Sequence, residues 1–239
     1  MFIIYDLKEV DFNMKMRVGG KAASLGEMLK IGINVPKGFV CCNNEELNEE
    51  EIYNKYDQMD LNIVAVRSSA VCEDSDSVSF AGQFSTYLNT NRKNLIKNIK
   101  RCMQNNDENL ITYSEINQIR KEDLRVSVIV QEMCHGDISG VLFTKNPINQ
   151  KEEIVIEAVY GIGESLVQGD VTPGQYIYDI REKRFISQRN ELKNLSEEML
   201  LELIKQAMKI QEHYQKPQDI EWTIKDERIY ILQARPITR

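Results

Sequence analysis

The sequence predicts a mixed α/β fold in two lobes with a cleft between them. Three observations point there. At 239 residues the chain suffices for one large domain or two small lobes sharing a core. The first part mixes strand-like and helical stretches, the middle is helical, and the second half reads mainly as strands with one packed helix. The alternation of helix and strand is too irregular for a doubly wound parallel sheet. The boundary is expected within the helical middle, giving lobes over 1–120 and 121–239, the first with a helical insert.

Phe2 to Leu7 reads as a short strand, and Gly19-Gly20-Lys21 leads into a helix with Ala22, Leu25, Met28 and Leu29 at helical spacing. That helix stops near Gly32, because Asn34-Val35-Pro36-Lys37-Gly38 is turn chemistry. Phe39 to Cys42 is strand-like, Glu45 to Asp57 an acidic surface helix, and Asn62 to Ser69 an apolar run closing on Arg67-Ser68-Ser69. Residues 70–79 have the small, acidic composition of a loop, and Phe84 to Leu88 is strand-like. One or two helices occupy 92–120, with Leu95, Ile96, Ile99 and Met103 on one face. Strands follow at Val126 to Met133, Ser139 to Thr144, Ile154 to Val159 and Tyr176 to Ile180. A helix with Ser196 as N-cap buries Leu200, Leu203, Ile204 and Ala207. Asp219 to Lys225 and Arg228 to Arg235 close the chain as strands.

Composition removes several functions. The chain is 42% hydrophobic and 28% charged with 12 Gly and 5 Pro, which excludes low-complexity and collagen-like chains. Thirty basic against 37 acidic residues leave a net charge of −7, so a uniformly basic nucleic-acid footprint is absent. An acidic chain can still bind ATP through a few placed cations and a metal ion. Met1-Phe2-Ile3-Ile4-Tyr5-Asp6 lacks the basic start of a signal peptide, and no apolar run approaches the ~20 residues of a membrane helix. Five cysteines without a CxxC pair, and two histidines, disfavour a zinc site and suit reduced thiols in a cytoplasmic protein.

The familiar nucleotide motifs fail. Gly19-Gly20-Lys21 is followed by Ala22 where a Walker A loop needs Ser or Thr, and Lys15 stands where its first Gly belongs. Gly161-Ile162-Gly163-Glu164-Ser165-Leu166 lacks the third glycine of a dinucleotide fingerprint. The closing strands say more. Asp219, Glu221 and Thr223 alternate with Ile220, Trp222 and Ile224, and Ile229, Ile231, Gln233 and Arg235 are expected on one face of the last strand. With Asp226-Glu227-Arg228 as the hairpin loop, paired residue numbers sum to 454 and Glu221 lies opposite Gln233. Opposed Cβ atoms lie about 5 Å apart. A carboxylate and an amide at that separation can share one Mg²⁺, with Arg235 in reach of the same phosphates; the alternative is a solvated hairpin face. Lys21, behind two glycines at a helix start, suits phosphate or is ordinary turn chemistry. Arg67 at a strand end suits a bidentate phosphate contact or a surface ion pair. Phe80-Ala81-Gly82-Gln83 followed by Thr86 suits a phosphate-approaching turn or a hairpin.

Together and in order, these stretches resemble the ATP-binding domain of the pyruvate phosphate dikinase and phosphoenolpyruvate synthase family, also found in rifampin phosphotransferase. The resemblance rests on Gly19 to Gly26, Val35-Pro36-Lys37-Gly38-Phe39, Ala65 to Ala70, Glu73-Asp74, Ser79 to Gln83 and Thr86 to Asn89. The second half adds Val130 to Met133, Ser139 to Thr144, Tyr160 to Glu164, Asp219 to Trp222 and Leu232 to Thr238. It implies an ATP-grasp fold gripping ATP and Mg²⁺ between two lobes. It further implies that Lys21 and Arg67 hold phosphates from the first lobe and that Gly82 and Thr86 belong to the turn closing over them. Gln131 is then placed along the nucleotide in the second lobe, with Glu132 and Met133 near the adenine. Glu221 and Gln233 become the metal ligands and Arg235 the phosphate-binding arginine, with Lys21, Arg67 and Arg235 acting in catalysis.

In such enzymes ATP pyrophosphorylates a histidine on a swivelling domain and AMP leaves. This sequence ends at Arg239 without that domain, and neither His135 nor His213 lies in a carrier-histidine motif. The expected partner is therefore a histidine carrier in trans or on a longer polypeptide. The segments from Phe39 to Ala65 and from Ile180 to Asp219 are shorter than the family's usual ones. The alternatives are a stand-alone ATP-dependent small-molecule kinase, for example of an antibiotic, and a nucleotide-binding module without catalysis.

Overall fold

The computed structural model describes residues 2–42, 47–71, 74–75, 78–79, 85–104, 126–163 and 171–237. Gly82, residues 72–73 and 76–77 of the expected 70–79 loop, and the expected helical stretch beyond Gln104 lie outside the described residues. The chain divides into two compact units, one of Met1–Gly32 with Pro36–Met133, the other of Ile33–Val35 with Cys134–Arg239.

The first unit contains β1 (Ile3–Asp6), α1 (Lys15–Val18), α2 (Gly20–Lys30), β2 (Gly38–Cys42), α3 (Glu49–Gln58) and β3 (Ile63–Ala70). A two-residue pair follows, β4 (Asp74–Ser75) and β5 (Val78–Ser79), then β6 (Thr86–Asn91), α4 (Leu95–Gln104) and β7 (Val126–Glu132). Its main sheet has the order β1-β2-β7-β3-β6, with every neighbouring pair antiparallel. β7 is the central strand, bonded to β2 on one side and β3 on the other. Gln131, Glu132 and Met133 therefore belong to the first unit, not the second, and the division falls after Met133 rather than near 120. A strand whose two edges are both satisfied by β2 and β3 has no ladder left to offer the other sheet.

One face of this sheet is apolar. Phe39 and Cys41 of β2, Val64 and Val66 of β3, and Val128 and Val130 of β7 pack with Ile52 and Tyr56 of α3 and Leu95, Ile96, Ile99 and Cys102 of α4. The sequence fits each helix locally: Asn48 caps α3 by accepting from the Glu51 N–H, and three glutamates fill its first turn.

α2 begins at a tight joint. Gly19 has φ +80°, and a Cβ there would lie 2.1 Å from the Ser69 carbonyl oxygen. The Ser69 hydroxyl accepts the Ala22 N–H at 3.0 Å, so β3 supplies the helix cap that the glycine cannot. Gly19→Ala is expected to lower stability by about 2 kcal/mol or more, since it adds both strain and a clash. An unchanged thermal unfolding midpoint would refute that account of the joint.

The second unit contains β8 (Ile138–Phe143), β9 (Glu153–Tyr160), β10 (Gly174–Asp179), β11 (Arg184–Arg189), α5 (Glu197–Tyr214), β12 (Gln218–Lys225) and β13 (Arg228–Pro236). Its sheet runs β11-β10-β9-β8-β12-β13, again antiparallel at every pair. Ser196 caps α5 through Met199 N–H, and Leu200, Leu203, Ile204, Ala207 and Ile210 are buried, each Leu or Ile contributing roughly 2 kcal/mol. On β12 the buried Ile220, Trp222 and Ile224 alternate with Asp219, Glu221 and Thr223.

The β12–β13 turn is Asp226-Glu227, both at positive φ (50° and 60°), and Arg228 pairs with Lys225 instead of lying in the loop. A β-bulge at Leu232 then restores the expected register, leaving Glu221 opposite Gln233 and Trp222 opposite Ile231. This corrects the expected alternation. Ile229 and Ile231 share the buried face of Ile224 and Trp222, whereas Gln233 and Arg235 share the face of Glu221 and Asp219. The outer edge of β13 is covered by Asn34, whose carbonyl accepts the Ile231 N–H at 2.8 Å and whose amide donates to the Ile229 carbonyl at 3.2 Å. These bonds explain why Ile33–Val35 belongs to the second unit.

Candidate nucleotide site

In the second unit the site is a polar sheet face. Glu221 and Gln233 are direct cross-strand partners, and the next pair along is Asp219 with Arg235. Arg235 Nε and Nη2 both donate to one Asp219 oxygen, at 2.9 and 2.8 Å. Burial pushes the Asp219 carboxyl above its ordinary range; Arg235 opposes that and the Glu221 charge adds to it. Asp219 is a functional candidate that attention to Glu221 alone passes over. Its signal is present in the sequence, since it lies on the Glu221 face and the same register sets it opposite Arg235.

Glu157 of β9 is the second such residue. The register carries one row across the sheet from Gln233 through Glu221 and Val141 to Glu157 and Gln175. Gln175 donates to Glu157 at 3.3 Å.

In the first unit the candidates also share a face. Arg67 of β3 is directly opposite Thr86 of β6 and Ile129 of β7, and Gln131 follows two residues after Ile129. Ser69 projects on the same face and caps the first turn of α2, which carries Lys21. The structure thus brings Arg67, Thr86, Gln131 and the start of α2 together on the sheet face opposite the apolar cluster. The Gln131 side chain is 3% exposed and donates to the Pro36 carbonyl at 3.3 Å. Glu132 donates its N–H to the Lys37 carbonyl, and its carboxylate stands 4.0 Å from Lys37 Nζ. Met133 closes the unit by donating its N–H to the Ile63 carbonyl. His135 and His213 are both exposed, and His213 stacks edge-on against Tyr214.

Among the described residues no group of three or more His, Cys, Asp or Glu forms a metal cage. The Glu221–Gln233 pair still fits Mg²⁺, which binds through one or two protein oxygens together with phosphate and water. Among the described helices none is long and apolar enough to cross a membrane.

Comparison with known proteins gives the family and the fold. The model of the family described as pyruvate phosphate dikinase, AMP/ATP-binding domain, matches residues 44–194 and 181–239. A probable phosphoenolpyruvate synthase of Archaeoglobus fulgidus is 33% identical, over 97% of this chain and 41% of its own length. The phosphoenolpyruvate synthase of Pyrococcus furiosus is 34% identical, over 82% of this chain and 27% of its own. A rifampicin phosphotransferase of Bacillus cereus is 28% identical over 98% of this chain and 36% of its own. The chain thus spans less than half the length of these curated relatives. The alignment to the Archaeoglobus protein runs over 309 positions against 239 residues here, so that relative carries segments within the shared region that this chain lacks. Among solved structures, the dinucleotide-forming acetyl-coenzyme A synthetase 1 of Ca. Korarchaeum cryptofilum, crystallised with coenzyme A, Ca-AMPCP and HgCl+, matches with TM-score 0.55 at 12% identity, over 92% of each chain. PH1788 from Pyrococcus horikoshii Ot3 matches with TM-score 0.52 at 12% identity, over 98% of this chain and 96% of its own. The fold is of the ATP-grasp type.

Proposed function

Because the chain belongs to the pyruvate phosphate dikinase AMP/ATP-binding domain family, we propose that it is the ATP-binding part of a phosphotransferase, holding Mg-ATP while a histidine on a separate carrier domain or protein takes the pyrophosphoryl group. A neutral imidazole nitrogen attacks the β-phosphorus. The bond from that phosphorus to the oxygen bridging it to the α-phosphorus breaks, and AMP leaves with the oxygen. Bound magnesium supplies charge neutralisation along the polyphosphate.

The protein's part is positioning and charge. Glu221 and Gln233 offer two oxygens to the cation, while Asp219 fixes the plane of the Arg235 guanidinium and so the direction in which it addresses a phosphate. In the first unit Lys21 and Arg67 supply positive charge to phosphate, with Thr86 beside Arg67. Gln131 lines the nucleotide, and Glu132 and Met133 lie by the adenine. The observation that carries the reading is the direct opposition of Glu221 to Gln233, with the Asp219–Arg235 pair one step along.

A second reading draws on the rifampicin phosphotransferase relative, which aligns over 98% of this chain: the same site serves a soluble small-molecule acceptor. One experiment separates them. The chain incubated with Mg-ATP is expected to turn over little nucleotide alone and to form AMP once a swivelling histidine-carrier domain is added. Formation of ADP but no AMP with the carrier overturns the pyrophosphoryl reading. Turnover on a soluble acceptor without any partner protein establishes the second.

A further inference from the structure

Two buried hydroxyls on the polar face of the second sheet have no part in the reading above. Ser139 of β8 and Thr223 of β12 are direct cross-strand partners, 2% and 0% exposed, with their oxygens 2.7 Å apart. Ser139 Oγ lies 2.6 Å from the Gly161 carbonyl, and Thr223 Oγ1 lies 3.1 Å from the Ile138 carbonyl. Each hydroxyl has one proton, and both carbonyls only accept. If both protons went to carbonyls, the 2.7 Å contact between the two oxygens would hold none. The two shortest contacts are satisfied together when Thr223 donates to Ser139 and Ser139 donates to Gly161.

The surroundings are shaped around this chain of bonds. A Cβ on Gly136 would lie 1.9 Å from the Thr223 hydroxyl, so only glycine admits it there. The Gly161 N–H donates to the Asp137 carbonyl at 2.8 Å, and the Asp137 N–H donates to the Ile224 carbonyl at 2.8 Å. Gly161 is therefore gripped at both its N–H and its C=O by groups that lead back to residues 223 and 224 of β12. Its φ is +77°, and among the described residues nothing lies within 4 Å of where a Cβ would stand. Thr223 projects on the same face as Glu221, two residues away.

We propose that Ser139 and Thr223 are positioning residues: their hydroxyl relay fixes the Gly161-Ile162-Gly163 turn against the strand that carries Glu221, and so sets the magnesium-dependent affinity for ATP. The inference rests on the Mg-ATP reading of this face. The relay acts on Glu221 through the turn and the strand, so its effect is set at about ten-fold, the low end of what a hydrogen-bond partner of a metal ligand contributes.

Calorimetric titration of ATP at varied magnesium tests it. Ser139→Ala and Thr223→Val are expected to raise the magnesium concentration for half-maximal binding about ten-fold, with affinity for magnesium-free ATP unchanged. Thr223→Ser, which keeps the hydroxyl, is expected to stay within about two-fold of wild type. A merely structural role would weaken both forms of binding alike, so equal losses overturn the proposal, as does wild-type behaviour of both truncations. Where a truncation unfolds the chain, hydrogen exchange at the wild-type Gly161 amide decides: slowing by Mg-ATP supports the relay and no change overturns it. Absence of any magnesium-dependent ATP binding by wild type would instead remove the reading on which the relay rests. Loss of binding in Glu221→Ala with normal binding in both truncations would remove the relay alone.

Discussion

Glu221→Ala is expected to weaken magnesium-dependent ATP binding about 100-fold, roughly 2.7 kcal/mol, while leaving the fold intact. The carboxylate is the one formal negative charge in its cross-strand pair, because Gln233 contributes only an amide oxygen. Removing it strips the cation of a charged ligand that no neighbour among the described residues replaces: Asp219 is already bound to Arg235, and Glu157 lies two strands away beyond Val141. Glu221→Gln keeps an oxygen in place and should fall between the two. The fold is spared because Glu221 faces away from the buried Ile220, Trp222 and Ile224 stripe. Trp222 is the only tryptophan in the chain and is fully buried beside Glu221, so its emission reports folding in every variant. Normal Mg-ATP affinity in Glu221→Ala with unperturbed tryptophan emission would detach the hairpin from the metal.

The hairpin also marks how far residues alone lead. The 3.6-residue stripe of α5 and its Ser196 cap are local signals, and both appear in the structure where their spacing puts them. The opposition of Glu221 to Gln233 holds, but not for the reason the spacing offers: the turn is one residue shorter than the expected loop, and the extra residue at Leu232 makes up the difference. The faces of Ile229 and Ile231 are not legible. The bulge at Leu232 has no composition of its own; it arises because the two-residue turn and the demand to bury Ile229 and Ile231 disagree by one residue with the demand to keep Gln233 beside Glu221.

β7 fails for a different reason. Its Val126–Val130 run announces a buried strand but not which strands bury it, and that choice depends on β2 and β3, some 60 to 90 residues earlier. β11 carries almost no signal, since Arg184–Arg189 is an edge strand with little of it buried. Its location coincides with the join between the two matched stretches of the family model, at 181–194. The position of Asp219 opposite Arg235 is legible in the sequence, and the structure adds the contact itself, two donors on one carboxylate oxygen.

Arg235→Lys is expected to cost nearly as much activity as Arg235→Ala, about 100-fold, although it keeps the charge. The guanidinium donates from Nε and Nη2 to a single Asp219 oxygen, which locks its plane and so the direction of its fork. An ammonium has no such plane: it can satisfy Asp219 or reach a phosphate, but it cannot be aimed at one by the other. Asp219→Asn tests the same couple from the opposite side. It keeps an acceptor oxygen and loses the charge, so Arg235 is held more weakly and phosphate alignment loosens. Its pH signature is distinct. Burial lifts Asp219 above its ordinary value of 3.8, so folding favours the protonated carboxyl. That contribution to stability is full below about pH 4 and is lost as pH rises through the folded value. Wild type should therefore lose thermal stability relative to Asp219→Asn as pH climbs from about 4. Parallel unfolding curves across that range would mean the carboxylate bears no net cost of burial, and an Arg235→Lys variant as active as wild type would mean the fork is not what aims at phosphate.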